Sequence, residues 1–376
     1  MMKISNSRYS VNVFDENKLD KELQRMFNSI HFILKLLITP KYQIQDNKIV
    51  PVRKLTFIVW FMIMAIIFAT CTIRATVGDQ HFLLNFLSFS YYISTCIGLT
   101  TIFIYQIYCR HGNCALIIMF QKIHNCVDIS DSVHSFIVGN YAIICCNFVF
   151  NTVVIFTYFT IGNDFDSVDF VSKVTYASFD MNVIYVMRLL MLLNMYLTEW
   201  IKYVAPLNGK QANDDDYCQK LFKSYSKIME AYNLYKQLYN LLILYYTVDT
   251  FCRTLAYSQT TLQLLKLQKY LRGSISVTVI TCFWLIKNMF LLSVHNMNCE
   301  KFYRLVEEAE ISCIQLMKNS NCPKSQRYLY KRVLQTNRTF SKISACGLFH
   351  FSARIPIHLL QLITHHIIVL LQFAFL

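Results

Sequence analysis

"THHIIVLLQF" occupies residues 364–373, followed by Ala374, Phe375 and Leu376. Five uncharged aliphatics between a histidine pair and Gln372-Phe373 belong to a segment, Ile343–Leu376, that is interrupted by one charge, Arg354. Its length exceeds the ~20 helical residues that cross a bilayer. Moving toward the N-terminus, six more such windows occur: Leu55–Ile73, Phe82–Tyr108, Ser135–Ile161, Val171–Leu197, Leu238–Leu264 and Ser274–Val294. The whole chain agrees, since 55% hydrophobic and 15% charged residues with a mean hydropathy of +0.36 lie outside soluble values. The polar opening MMKISNSRYSVNVFDENKLDKELQR lacks the apolar core of a cleavable signal, so the N-terminus is expected to stay on.

Basic residues set the expected topology, because cytoplasmic flanks retain Lys and Arg. The first 54 residues hold 10 and the loop after the sixth window, counted from Lys287, another 10, whereas the alternate loops, counted with Lys173 at the start of the fourth window, together hold 5 of the 36. The expectation is an all-α membrane protein: a seven-transmembrane helix bundle with inside N-terminus, outside C-terminus and a cytoplasmic helical anchor. None of the 14 cysteines falls in the short external loops, so no disulfide framework is expected there. The sequon Asn337-Arg338-Thr339 would be cytoplasmic and unused.

The segments divide as 1–54, a cytoplasmic or interfacial helix; 55–197, helices one to four; 198–237, a cytoplasmic extension; 238–294, helices five and six; 295–342, anchor helices; and 343–376, the last helix. Within the first, Leu23, Phe27, Ile30, Leu34 and Leu37 form a helical stripe ended by Pro40. From Asp214-Asp215-Asp216, Leu221, Tyr225, Ile228, Tyr232, Tyr235, Tyr239 and Leu242 recur at alternating offsets of four and three, predicting one helix projecting from the membrane. Phe302, Leu305, Val306, Ala309, Cys313, Leu316 and Met317 predict a second stripe, and Pro323 starts a third helix bearing Leu329, Val333, Thr336, Phe340 and Ile343 toward the last span.

Charges inside the windows require partners or water. Asp249 and Arg253 stand one turn apart and can pair, while Asp180, Arg188 and Lys287 face a shared interior. Asn151, Tyr158, Tyr176, Asp180, Tyr257, Gln259 and Trp284 offer aromatic faces and polar anchors in the outer halves of the third to sixth windows, the chemistry of a small organic ligand's pocket. In the last window His350, Arg354, His358, Gln361, His365 and Gln372 suggest a polar stripe facing protein or water, and adjacent His365 and His366 point about 100° apart. Cys109, His111, Cys114, His124 and Cys126 fit no zinc-binding spacing, so no metal is expected. No nucleotide loop, nucleophile elbow or zinc-protease motif is present, and no enzymatic activity or cofactor is expected.

"SACGLFHFS" at 344–352, followed by "THHIIVLLQF", resembles the C-terminal signature of insect gustatory receptors: Gly-Leu-Phe, then Thr-Tyr, five hydrophobics and Gln-Phe. Aligned on Gln372-Phe373, His365 and His366 replace Thr-Tyr. The resemblance implies a ligand-gated cation channel in the plasma membrane, related to insect odorant receptors, with four subunits around one pore. It makes Gln372 and Phe373 gate residues on a pore-lining last helix, with Val369 or Leu370 narrowing the same passage. The implied partners are a small-molecule tastant, such as a bitter plant compound, cations, membrane lipids, and either identical copies in a homotetramer or other gustatory receptors, with no nucleic acid. Two competing readings are a carrier of small organic solutes, weakened by the odd span number without an internal repeat, and a metabotropic seven-helix receptor, opposed by the expected orientation.

Overall fold

The computed structural model describes residues 19–37, 39–45, 47–77, 82–162, 167–204, 215–266, 271–318 and 322–375. The chain is helical almost throughout. A first helix α1 (Lys21–Leu36) leads through a hairpin of β1 (Gln43–Gln45) and β2 (Lys48–Val50) into α2 (Lys54–Val77) and α3 (Phe82–Tyr108). A short α4 (Arg110–His124) follows, then α5 (Ser130–Gly162), α6 (Ser167–Val204), α7 (Asp215–Lys266), α8 (Leu271–Lys318), α9 (Lys324–Asn337) and α10 (Ile355–Phe375).

Seven of these helices, α2, α3, α5, α6, α7, α8 and α10, coincide with the seven apolar windows. By length and composition alone, the segments Ser130–Thr157, Ala177–Val204 and Ile355–Gln372 are apolar enough to cross a membrane among the described residues. The first of these exposes most of its apolar side chains, whereas Ala177–Val204 is largely enclosed. A span that is apolar on every face yet buried is the centre of a bundle, and α6 packs against both α7 and α8.

At 52 residues α7 extends about 78 Å, more than twice the ~30 Å hydrocarbon core of a bilayer. Its stripe closes where the spacing places it: Leu221, Tyr225, Ile228, Tyr232, Tyr235, Tyr239 and Leu242 are all buried. Tyr232 stacks on Phe302 of α8 at 4.3 Å between ring centroids and meets Phe340 at 5.4 Å. Trp200 of α6 donates from Nε1 to the Leu221 carbonyl at 2.9 Å and lies 4.5 Å from the Tyr225 ring. The Tyr303 hydroxyl accepts from the Ile343 backbone N–H at 3.0 Å, tying the segment after α9 onto α8. The sequon residue Asn337 is buried here, accepting from the Tyr225 hydroxyl.

Three features depart from the sequence reading. Residues 110–124, between the second and third windows, are a helix that the sequence reading did not identify, with Cys114, Leu116, Ile117, Phe120 and Ile123 buried. The hairpin of β1 and β2 carries no apolar periodicity long enough to announce it. The last helix begins at Ile355 instead of near Ile343, because Ser344 bridges His350, Cys346 and Gly347 adopt φ of 50° and 86°, and Gly347 N–H donates to Ser344 Oγ at 2.9 Å. Left-handed backbone of this kind cannot continue a helix. His350 and Arg354 therefore precede α10 and do not extend its stripe.

Candidate functional site

Among the described residues, the charges singled out within the windows resolve into two pairs, with Arg188 and Arg354 outside them. Arg253 donates from Nε to Asp249 Oδ1 at 2.9 Å along α7, as the one-turn spacing predicts, and reaches Thr95 Oγ1 of α3 at 3.1 Å. Lys287 of α8 pairs with Asp180 of α6, and the Tyr246 hydroxyl bridges Asp180 Oδ1 at 3.3 Å and Asn288 Oδ1 at 2.9 Å. This inter-helix pair is not legible from spacing. Arg188, equally compatible with Asp180 in sequence, instead donates from Nη2 to the Phe136 carbonyl at 2.7 Å and from Nε to Asn140, with its guanidinium 4.0 Å from the Phe136 ring centroid. Arg354 is exposed.

Of the seven residues expected to form a pocket, Tyr257 and Trp284 meet each other and Asp180 pairs with Lys287. The Lys287 ammonium lies 5.4 Å from the Phe150 ring centroid of α5. One turn along α8, Trp284 meets Tyr257 of α7 edge to face at 5.5 Å. Asn151 spends its amide on α5 itself, donating to the Asn147 carbonyl at 2.8 Å, and Gln259 is exposed. The side chains of Tyr158 and Tyr176 lie outside the described residues. An apolar hollow of about 530 Å³ opens between α5 and α8, lined by Val149, Phe150, Val153, Thr157, Val279 and Phe283. Phe150 thus both lines the hollow and lies beside the Lys287 ammonium, and among the described residues none of the seven expected pocket residues lines the hollow. None of these aliphatic positions had been singled out from sequence, because a pocket wall and a lipid-facing stripe share one composition.

α10 has two unlike faces. Ile363 is buried and Leu359 packs on the core, while His366 meets Phe251 of α7 at 6.0 Å. At 100° per residue, His358, Gln361, His365 and Gln372 share the opposite side, and all four are exposed. Ile368 falls within the same stripe and was missed in the sequence reading. Leu370 projects on the Ile363 side and Val369 between the two faces, both half-buried; the Phe373 side chain lies outside the described residues. The two adjacent histidines are both exposed, but only His366 meets a neighbouring helix, through Phe251.

Beneath the helices, near the start of α2, Lys41 is fully buried with its ammonium unpartnered, 6.0 Å from the Tyr105 ring centroid. Burial pulls its pKa down to about 8. His124, in the segment where metal ligation was weighed, sits 3.3 Å from Glu22 and 3.1 Å from the Tyr196 hydroxyl. Among the described residues no three potential metal ligands converge.

Two solved structures share this arrangement of helices. The insect olfactory receptor OR5 from Machilis hrabei matches with a TM-score of 0.63, covering 94% of this chain and all of the receptor at 13% identity. The chain has the insect olfactory receptor fold. The same receptor in complex with eugenol matches with a TM-score of 0.62, again at 13% identity. No family model and no curated protein matches the sequence. The match extends over nearly the whole chain, so these helices belong to one architecture.

Proposed function

We propose that this chain is a subunit of a chemosensory cation channel of the gustatory receptor class, opened by a small organic tastant and built from several copies around one pore. The observation that carries this reading is the exposed polar face of α10. His358, Gln361, His365 and Gln372 turn away from the subunit's own packing on a helix otherwise apolar enough for lipid. Polar side chains at membrane depth face protein or water, so copies arranged with this face inward would line an aqueous passage. The olfactory receptor fold and the Gln-Phe terminus support the same arrangement.

Ligand recognition belongs in this reading to the hollow between α5 and α8 and to the Asp180–Lys287 pair beside Phe150. Eugenol, bound by the olfactory receptor of like fold, is a small aromatic compound, and an apolar hollow suits that class, including bitter plant compounds. A ligand that favours one arrangement of the helices shifts α10, and Ile368 with the Gln372-Phe373 end widens or dewets the passage. The N-terminus is inside and the C-terminus outside, as the Lys and Arg distribution requires. Calcium imaging of cells expressing this chain alone, against a panel of plant compounds, tests the reading. Ligand-evoked calcium entry with single-channel openings supports it; surface-expressed protein that transports solute without channel openings would make it a carrier.

A further inference from the structure

We propose that the cavity beneath α1 and the β1–β2 hairpin is a binding site for the phosphomonoester headgroup of an anionic membrane lipid. The cavity holds about 290 Å³ and is lined by His31, Lys35, Tyr42, Gln43, Gln45 and Arg53. Two cations and two amides converge there, and none of the described lining residues is acidic. His31 stacks on Tyr42 at 4.7 Å, and its Nδ1 is buried without a hydrogen-bond partner. A buried imidazole nitrogen left unpaired costs stability unless something bonds to it, and the His31 ring lines this cavity. Burial, with Lys35 adding to it, lowers the His31 pKa to about 4, so the ring is neutral at pH 7 and adds no third charge.

Placement argues for a lipid rather than a soluble phosphate. Arg53 immediately precedes α2, whose apolar sequence starts at residue 55, so the cavity stands at the level where a span enters the headgroup layer. On α1, Phe32 and Leu36 flank Lys35 and are each 63% exposed. The opposite face of α1, with Leu23, Phe27, Ile30 and Leu34, is buried against the bundle. An aromatic and a leucine pointing outward beside basic side chains is the pattern of an interfacial helix, and lysine and arginine stems reach from such a helix to phosphate. A phosphomonoester carries about −1.5 to −2 charges at neutral pH, which matches Lys35 and Arg53. The inference rests on α2 as a span and is independent of the channel reading.

The test uses the purified full-length chain in neutral detergent, reading its melting temperature with dioctanoyl phosphatidic acid, dioctanoyl phosphatidylcholine or inorganic phosphate. Phosphatidic acid should raise the melting temperature saturably, and phosphatidylcholine should not. Lys35→Gln with Arg53→Gln should weaken the effect roughly 30-fold, at about tenfold or less per cation, while Lys35→Arg with Arg53→Lys retains it. Both side chains are exposed, and each single Gln variant is read beside the double. An equal shift from phosphatidylcholine or from inorganic phosphate at the same concentration would overturn the lipid site. So would a response to phosphatidic acid that survives in the Gln variants.

Discussion

At the level of single residues, the most consequential groups are buried charges, and spacing reveals only those paired along one helix. Asp249 and Arg253 were legible because four residues make one turn. Asp180 and Lys287, 107 positions apart, meet only through helix packing, and Arg188 is satisfied by a carbonyl and an amide that no sequence rule selects. Removing one partner of a buried pair leaves the other uncompensated, so Asp180→Ala should destabilise by roughly 3 kcal/mol or more, and adding Lys287→Met should recover most of the loss. Thermal unfolding of the purified single and double variants measures this; equal destabilisation in both would show that the pair is not coupled. Lys41 makes a separate case. Its proton is held to about pH 10.5 in the unfolded chain and to about 8 in the fold. The unfolded state therefore binds more protons between those values, and stability rises with pH across that window. Lys41→Met should be the more stable form at pH 7, by up to roughly 3 kcal/mol, and its advantage over wild type should shrink as pH rises from 8 toward 10.5. A difference independent of pH would mean that the ammonium is not buried.

At the level of elements, long uniform periodicities were readable and short interruptions were not. The seven-residue repeat of α7 and the stripe of α8 pack against several neighbouring helices, whereas of the stripe expected on α9 only Leu329, Val333 and Thr336 are helical, because the helix ends at Asn337 and Phe340 and Ile343 lie beyond it. α4 was missed because its apolar residues sit among Cys, His and Gln that read as loop chemistry, and it packs against α7 in a context that sequence does not show. The start of α10 was misplaced because residues 343–354 are apolar enough to extend a span, whereas Gly347 and Cys346 bend the backbone where hydropathy is blind. Tyr232 joins α7 to α8 through Phe302 and to the segment after α9 through Phe340. Tyr232→Ala should cost about 3 to 5 kcal/mol, the usual range for deleting a fully buried aromatic. Tyr232→Phe, which keeps the ring and loses the hydroxyl's contacts with the Ser341 carbonyl at 3.2 Å and with the Tyr303 hydroxyl, should cost about 1 kcal/mol. Comparable losses in both variants would place the energy in the hydroxyl instead of the stacked ring.

At the level of the whole molecule, α6 is enclosed by its neighbours while α10 leans on α7 and α8 with one side only. A span with a buried apolar side and an exposed polar one is incomplete as a monomer in lipid. The channel reading completes it by setting several copies of α10 around water. On the Gln-Phe resemblance, Phe373→Ala should raise the ligand-independent current of surface-expressed protein, and an unchanged leak would remove Phe373 from the gate. The most direct test is cysteine substitution along α10, reading modification of ligand-evoked current by a charged, membrane-impermeant thiol reagent relative to wild type. Gln361→Cys, Ile368→Cys and Gln372→Cys should be modified and the current changed, while Ile363→Cys should be inert. Modification at 363 with protection at 361, 368 and 372 would contradict the assignment of this face to the pore.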